Sequence, residues 1–244
     1  MYQEQRLEEI LKLLRVGNVL TTEQMIEHFQ VSRDTVRRDF AKLSQAGKVK
    51  RVHGGIMQLS SNDEIVSFND RLDEFSDAKK HIAELAQMFI QVQGTYFFDV
   101  STTILKLAQI VDKKVTIYTH SLDNAIMLSG NPEINLHALG GEFFPKNRFF
   151  YSLNEAEILK HINFDVAFIG AAGLKDGQVS FEDQEDAYIK QLIMKNAKVK
   201  ILLAENVKFT KKSTYSIGEL VDFDYLITDI KPSAEVMAAI TVKY

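Results

Sequence analysis

The sequence predicts an α/β protein in two parts, a small helical module closed by a β-hairpin and a larger domain built on a mainly parallel sheet. Three observations predict it. Apolar residues recur with a helical period up to about Leu43, then alternate briefly around Gly54-Gly55. From Asp77 onward, helical patterns alternate with short apolar runs of strand length, the rhythm of a sheet covered by helices. Charge divides along the same line. The 244 residues carry a net charge of -4, yet residues 1–60 hold 10 Lys and Arg against 7 Asp and Glu, net +3, which leaves 19 against 26 for the rest. A hydrophobic content of 45% supplies both parts with core material.

Leu7, Ile10, Leu11 and Leu14 form one apolar stripe on a first helix that ends near Gly17. Thr21, with Gln24 three residues on, is a capping-box signal for a second helix whose Met25, Ile26 and Phe29 face inward. A tight turn at Gln30 and Val31 leads to Ser32, which caps a third helix with Val36, Phe40 and Leu43 as its buried stripe. At about 100° per residue, Thr35, Arg37, Arg38 and Lys42 lie away from that stripe. After Gly47, KVKRVHGGIMQL reads as a two-stranded wing bearing Lys48, Lys50, Arg51 and His53. The parts compose a winged helix-turn-helix over 1–57. From Arg33 to His53 there are seven basic and two acidic residues, a surface that attracts phosphates. A short helix presenting Arg and Thr outward suits the major groove, where Arg pairs bidentately with guanine. Backbone at the two glycines can approach phosphates closely.

Residues 58–76 are polar and weakly periodic, a linker. Over 77–244, helices are expected at 77–91 and 185–197. Strands are expected at Thr95–Phe98, Val115–Tyr118, Leu136–Leu139, Asp165–Ile169, Val199–Ala204 and Tyr225–Thr228. In a parallel sheet the loops after the strands bind ligands. Asp99 to Thr103 follow the first strand and open a helix, a candidate phosphate cradle, although a Ser or Thr at that place also serves simply as a cap. Thr119-His120-Ser121, Gly140-Gly141, Gly170 to Gly173, and Glu205 with Lys208 follow later strands, a set of small, hydroxyl and cationic groups that suits a sugar phosphate.

The run VSRDTVRRDFAKLSQAGKVKRVHGG, with Thr-x-Arg-Arg-Asp at Thr35 to Asp39 and Arg-x-His-Gly-Gly at Arg51 to Gly55, resembles the signature of the deoxyribonucleoside-repressor (DeoR) family of bacterial transcriptional regulators. The resemblance extends through THSL at 119–122, LGGE at 139–142, IGAAGL at 169–174, EDAYIK at 185–190, LLAENVKF at 202–209 and LITD at 226–229. It implies a repressor of carbohydrate-metabolism genes, with a sensor domain similar to ribose-5-phosphate isomerase and a phosphorylated sugar as effector. Residue by residue, it implies operator contacts from Arg37 and Arg38, supported by Ser32, Arg33, Thr35, Arg51, His53 and Gly54. Asp39, nearer the buried side, is expected to orient a neighbouring Arg. For the effector it implies Asp99, Ser101, Thr102 and Thr103 around the phosphate, Gly141 near the sugar and Lys208 as the cation. The chain departs from the family pattern where Ser101 stands for a Gly, Glu205 for an Asp and Val207 for a Ser.

Two other function classes are weighed on the residues. An isomerase needs a positioned general base, for which Asp99, Glu142 and Glu205 are the strand-end carboxylates, and none carries a mark of tuning. A DNA binder without an effector would leave the polar loops unexplained. The six histidines show no metal-ligand spacing, so neither metal nor cofactor is expected. The chain has no cysteine, its longest apolar run is the nine residues VAFIGAAGL, and its N-terminus is charged. A cytoplasmic protein without membrane insertion is the expectation, and operator half-sites call for a homodimer or higher homo-oligomer.

Overall fold

The computed structural model describes residues 3–17, 19–45, 48–52, 54–57 and 76–244. The chain divides into two units, Met1–Glu64 and Ile65–Tyr244. Of the expected linker, only Ser76, the first residue of a helix, lies within the described residues.

In the first unit, helices α1 (Gln3–Gly17), α2 (Thr22–Phe29) and α3 (Arg33–Gln45) precede a hairpin of β2 (Lys50–Val52) and β3 (Gly55–Met57). The Thr21–Gln24 capping box forms as the sequence predicts: the Thr21 hydroxyl accepts from Gln24 N, and Thr21 N donates to Gln24 Oε1. Gln30 closes α2 in the left-handed conformation at φ 53°. Ile10, Leu14, Met25, Val36, Phe40, Leu43 and Ile56 make one core. The structure adds a strand that periodicity misses, β1 (Val19–Thr21), which pairs antiparallel with β3 and places Leu20 opposite Ile56. Three residues between two helices carry no readable alternation.

The second unit is organised by a seven-stranded sheet in the order β14-β13-β11-β9-β4-β5-β6, with every neighbouring pair parallel. The strands are β4 (Thr95–Phe98), β5 (Val115–Thr119), β6 (Ile134–Ala138), β9 (Phe164–Gly170), β11 (Ala197–Leu203), β13 (Tyr225–Ile227) and β14 (Thr241–Lys243). Six correspond to predicted strands; β14 is additional. Successive side chains point to opposite faces. Phe98, Phe168 and Leu203 therefore join α4 (Ser76–Gln87), α5 (Thr102–Ile110) and α6 (Leu122–Ser129) in one core. Phe97, Ile169 and Leu202 join α7 (Leu153–Leu159) and α8 (Gln184–Asn196) in the other.

Two antiparallel additions escape the sequence reading. A hairpin of β7 (Glu142–Phe144) and β8 (Phe149–Tyr151) follows β6, and β10 (Gln178–Phe181) pairs with the distant β12 (Tyr215–Glu219). A further helix, α9 (Ala234–Ala239), precedes β14. The chain winds outward from β4 through β5 and β6, then returns to the other side of β4 for β9, β11, β13 and β14. Winding direction reverses between β4 and β9, and the loops leaving their carboxyl ends flank a crevice.

Candidate functional site

The first unit presents α3 as its candidate nucleic-acid face. Val36 and Phe40 are buried, which turns Arg37 and Arg38 outward into solvent. Ser32 fixes the start of the helix: its Oγ accepts from Thr35 N at 3.2 Å and shares a hydrogen bond with the Thr35 hydroxyl at 2.9 Å. Arg33 pairs with Glu23 of α2 at 2.6 Å, both well exposed, so the pair contributes little stability and leaves Arg33 available to a phosphate.

Asp39 is 1% exposed and accepts from Arg6 Nε at 2.8 Å and Gln3 Nε2 at 2.9 Å. It orients an arginine, but not a neighbouring one: Arg6 belongs to α1, and the contact clamps α1 to α3. In the wing, the Arg51 guanidinium sits 5.9 Å from the centroid of the Phe40 ring, which steadies it beside the helix. Gly54 turns the chain at φ +79°, and among the described residues beyond its chain neighbours no atom lies within 4 Å of where a Cβ would stand. Gly55 serves packing, since a Cβ there would meet Leu20 O at 2.2 Å. His53 lies outside the described residues.

In the second unit the crevice brings the predicted first loop to its rim and core. Ser101 caps α5, its Oγ accepting from Thr103 N at 3.2 Å. Thr102 and Thr103 are buried on the first turn. Asp99 is wholly buried, and its carboxylate is engaged: Oδ2 accepts from Gly170 N at 2.9 Å and Oδ1 from Val100 N at 2.7 Å. These bonds lock the β4 and β9 loops together. Gly170 lies so close that a Cβ would meet that of Ser101 at 2.6 Å.

Behind this loop is a buried charge network of which the sequence shows only the separate motifs. Lys190 Nζ lies 3.0 Å from Asp99 Oδ1 and also donates to Asp186 Oδ2. His120 Nε2 lies 2.9 Å from Asp186 Oδ1, and its ring stacks on Phe97. Burial pushes the Asp99 carboxyl above the usual carboxylate range, against the pull of Lys190. Burial acts the same way on Asp186, but Lys190 and His120 outweigh it and hold that carboxyl below its ordinary value. Donor atoms of Asp99, His120 and Asp186 lie within 4.8 Å of one another, a spacing that a metal ion could bridge. The Lys190 ammonium already stands against both carboxylates, so the protein supplies its own cation.

The remaining predicted residues fall elsewhere. Lys208 is buried on a short 3₁₀ turn after β11 (Asn206–Thr210). Beside that turn Glu205 faces Lys79 of α4 at 3.7 Å, both buried. Gly141 is exposed at φ +122°, and a Cβ there would meet Tyr151 O at 2.1 Å. Its glycine is explained by the β7–β8 hairpin. Among the described residues no helix is long and apolar enough to cross a membrane.

Comparison with known proteins gives two family matches, the DeoR-like helix-turn-helix domain over residues 6–62 and the DeoR C terminal sensor domain over residues 74–230. The HTH-type transcriptional repressor GlcR of Bacillus subtilis is 35% identical over 234 residues, covering 96% of this chain and 91% of the relative. The HTH-type transcriptional regulator GolR of Listeria innocua is 30% identical over 235 residues, covering 95% and 92%. Among solved structures, ribose 5-phosphate isomerase A of Methanocaldococcus jannaschii matches with a TM-score of 0.41 and 15% identity, over 55% of this chain and 54% of that one. So loose and partial a likeness establishes nothing about the activity of this chain.

Proposed function

Because the chain belongs to the DeoR family of transcriptional regulators, we propose that it is a repressor of carbohydrate-metabolism genes that releases or rearranges on its operator when a phosphorylated sugar binds the second unit. The single observation that carries the DNA-binding half is the outward pair Arg37 and Arg38 on a helix whose opposite face is core. In this reading the two guanidiniums read base edges, while Ser32, Arg33, Thr35, Arg51, His53 and Gly54 hold phosphates and fix register. A homodimer or higher homo-oligomer in the cytoplasm places two such modules on repeated half-sites.

For the effector, the amide groups at the start of α5 and the hydroxyls of Ser101, Thr102 and Thr103 suit a phosphate, with Lys208 as its cationic partner. Support for the α5 loop comes from its position at the reversal of winding, whereas Lys208, on the turn after β11, rests on the family resemblance. Catalysis does not fit: Asp99, the buried strand-end carboxylate beside this loop, has its oxygens taken up by two backbone amides and Lys190, which leaves it no role as a general base.

Titration of the duplex upstream of the chain's own gene tests the reading. Replacing Arg37 and Arg38 with Ala is expected to abolish specific binding while circular dichroism stays unchanged. The slope of log affinity against log salt is expected to flatten by about 0.9 for every phosphate that the variant no longer neutralises. Specific affinity retained by the double variant would overturn α3 as the recognition helix.

A further inference from the structure

The crevice between β4 and β9 is closed. Ser101, Asn147, Gly170, Phe181, Glu182 and Asp186 are among its lining residues, and it holds about 20 Å³ of free space, room for one water and far too little for a sugar phosphate. What closes it is the β7–β8 hairpin. Phe149, wholly buried, packs with Val100 and Leu105 and lays the hairpin over the phosphate loop. Its base is pinned by the backbone, Phe150 N donating to His120 O at 2.8 Å and Leu122 N to Arg148 O at 3.0 Å. Arg148 adds a bidentate pair to Asp123 at 2.7 and 2.8 Å.

The tip is held differently, by side chains. The Asn147 amide, 8% exposed, donates to Asp183 Oδ2 at 2.7 Å and Glu182 Oε2 at 3.3 Å, and Lys146 Nζ meets Glu182 Oε1 at 2.9 Å. Asp183 and Glu182 directly precede α8, which carries Asp186 and Lys190 into the buried network. Deeper in, His120 Nδ1 is buried with no partner among the described residues. An amide facing carboxylates is the usual vocabulary for sugar hydroxyls, which donate to carboxylates and accept from amides.

We propose that Asn147, with the Glu182 and Asp183 carboxylates it holds, forms the hydroxyl-recognising wall of the effector site, and that the hairpin tip lifts to admit a phosphorylated polyol whose hydroxyls replace the Asn147 contacts. The proposal rests on the effector reading above and assigns its specificity. Phosphate is held by the α5 loop, whereas discrimination among sugars comes from the tip. Without ligand, the wall is satisfied by its own members and the site stays shut, so a free carboxylate face is never left in the crevice.

The test measures the affinity of the full chain for glucose 6-phosphate, ribose 5-phosphate, glycerol 3-phosphate and inorganic phosphate, in the wild type, N147A and E182Q, with urea midpoints to verify folding. Expected is a wild type that prefers at least one sugar phosphate over inorganic phosphate, and a preference that falls at least tenfold in both variants while inorganic phosphate binds no more weakly. A preference kept in either variant, or an equal loss for both kinds of ligand, overturns the wall and leaves the phosphate site standing. A wild type that binds none of the four overturns the effector reading itself, and the wall with it.

Discussion

Lys190 is the cation on which two buried carboxylates depend. In Lys190→Met, Asp99 and Asp186 lose their ammonium and keep His120 beside them, and the expected loss of stability near neutral pH is about 3–5 kcal/mol. The Asp99 carboxyl, already raised by burial, then loses the main charge that opposes the rise. Such a penalty is full above the raised folded-state value and fades as pH falls through it toward the unfolded one, so the urea midpoint of the variant should recover part of its deficit as the solution is acidified. A deficit independent of pH would remove the electrostatic account. Lys208→Ala is a second expectation at this scale: effector response abolished in the operator titration, with operator affinity itself kept. Asp186 and Lys190 are visible in EDAYIK as an i, i+4 pair, which on a helix of unknown surroundings reads as a solvated surface pair. Only their contact with Asp99, in the loop after β4 and far earlier in the chain, makes them the centre of the domain's charge network.

Elements near the N-terminus follow local rules and are readable as such. The capping box, the left-handed close of α2 and the inward stripe of α3 depend on residues three or four apart. Strand β1 depends instead on a close approach to β3 that Gly55 permits. Gly55→Ala is therefore expected to displace β1 from the wing at a cost of about 1–3 kcal/mol, and to weaken operator binding through misplacement of Arg51 and its neighbours. Thermal unfolding and duplex titration of the same variant check both parts. The β7–β8 hairpin is invisible in the sequence for a related reason. Its strands have three residues each, too few for alternation to register, and the cluster that folds it down is made with Val100 of the loop after β4 and Leu105 of α5.

At the scale of the whole molecule, the proposed response is a coupling between two sites in two units, and coupling of binding free energies is reciprocal. Whatever factor a sugar phosphate takes from operator affinity, operator DNA should take from sugar-phosphate affinity. The two titrations, each run with and without the other ligand, check it; a factor of one in both would refute the coupling. The sequence by itself determined the division into a basic module and an acidic α/β domain, the three helices of the first unit, six sheet strands of the second, and which side chains of α3 face away from its core, because charge, period and capping are written within a few residues of each other. Tertiary structure alone decided what the polar loops do. It closed the crevice with a hairpin, gave Asp99 to backbone amides and a lysine, and set Asn147 against Glu182 and Asp183. Those contacts join residues tens of positions apart, and their strength comes from burial, a property that no local pattern in a sequence carries.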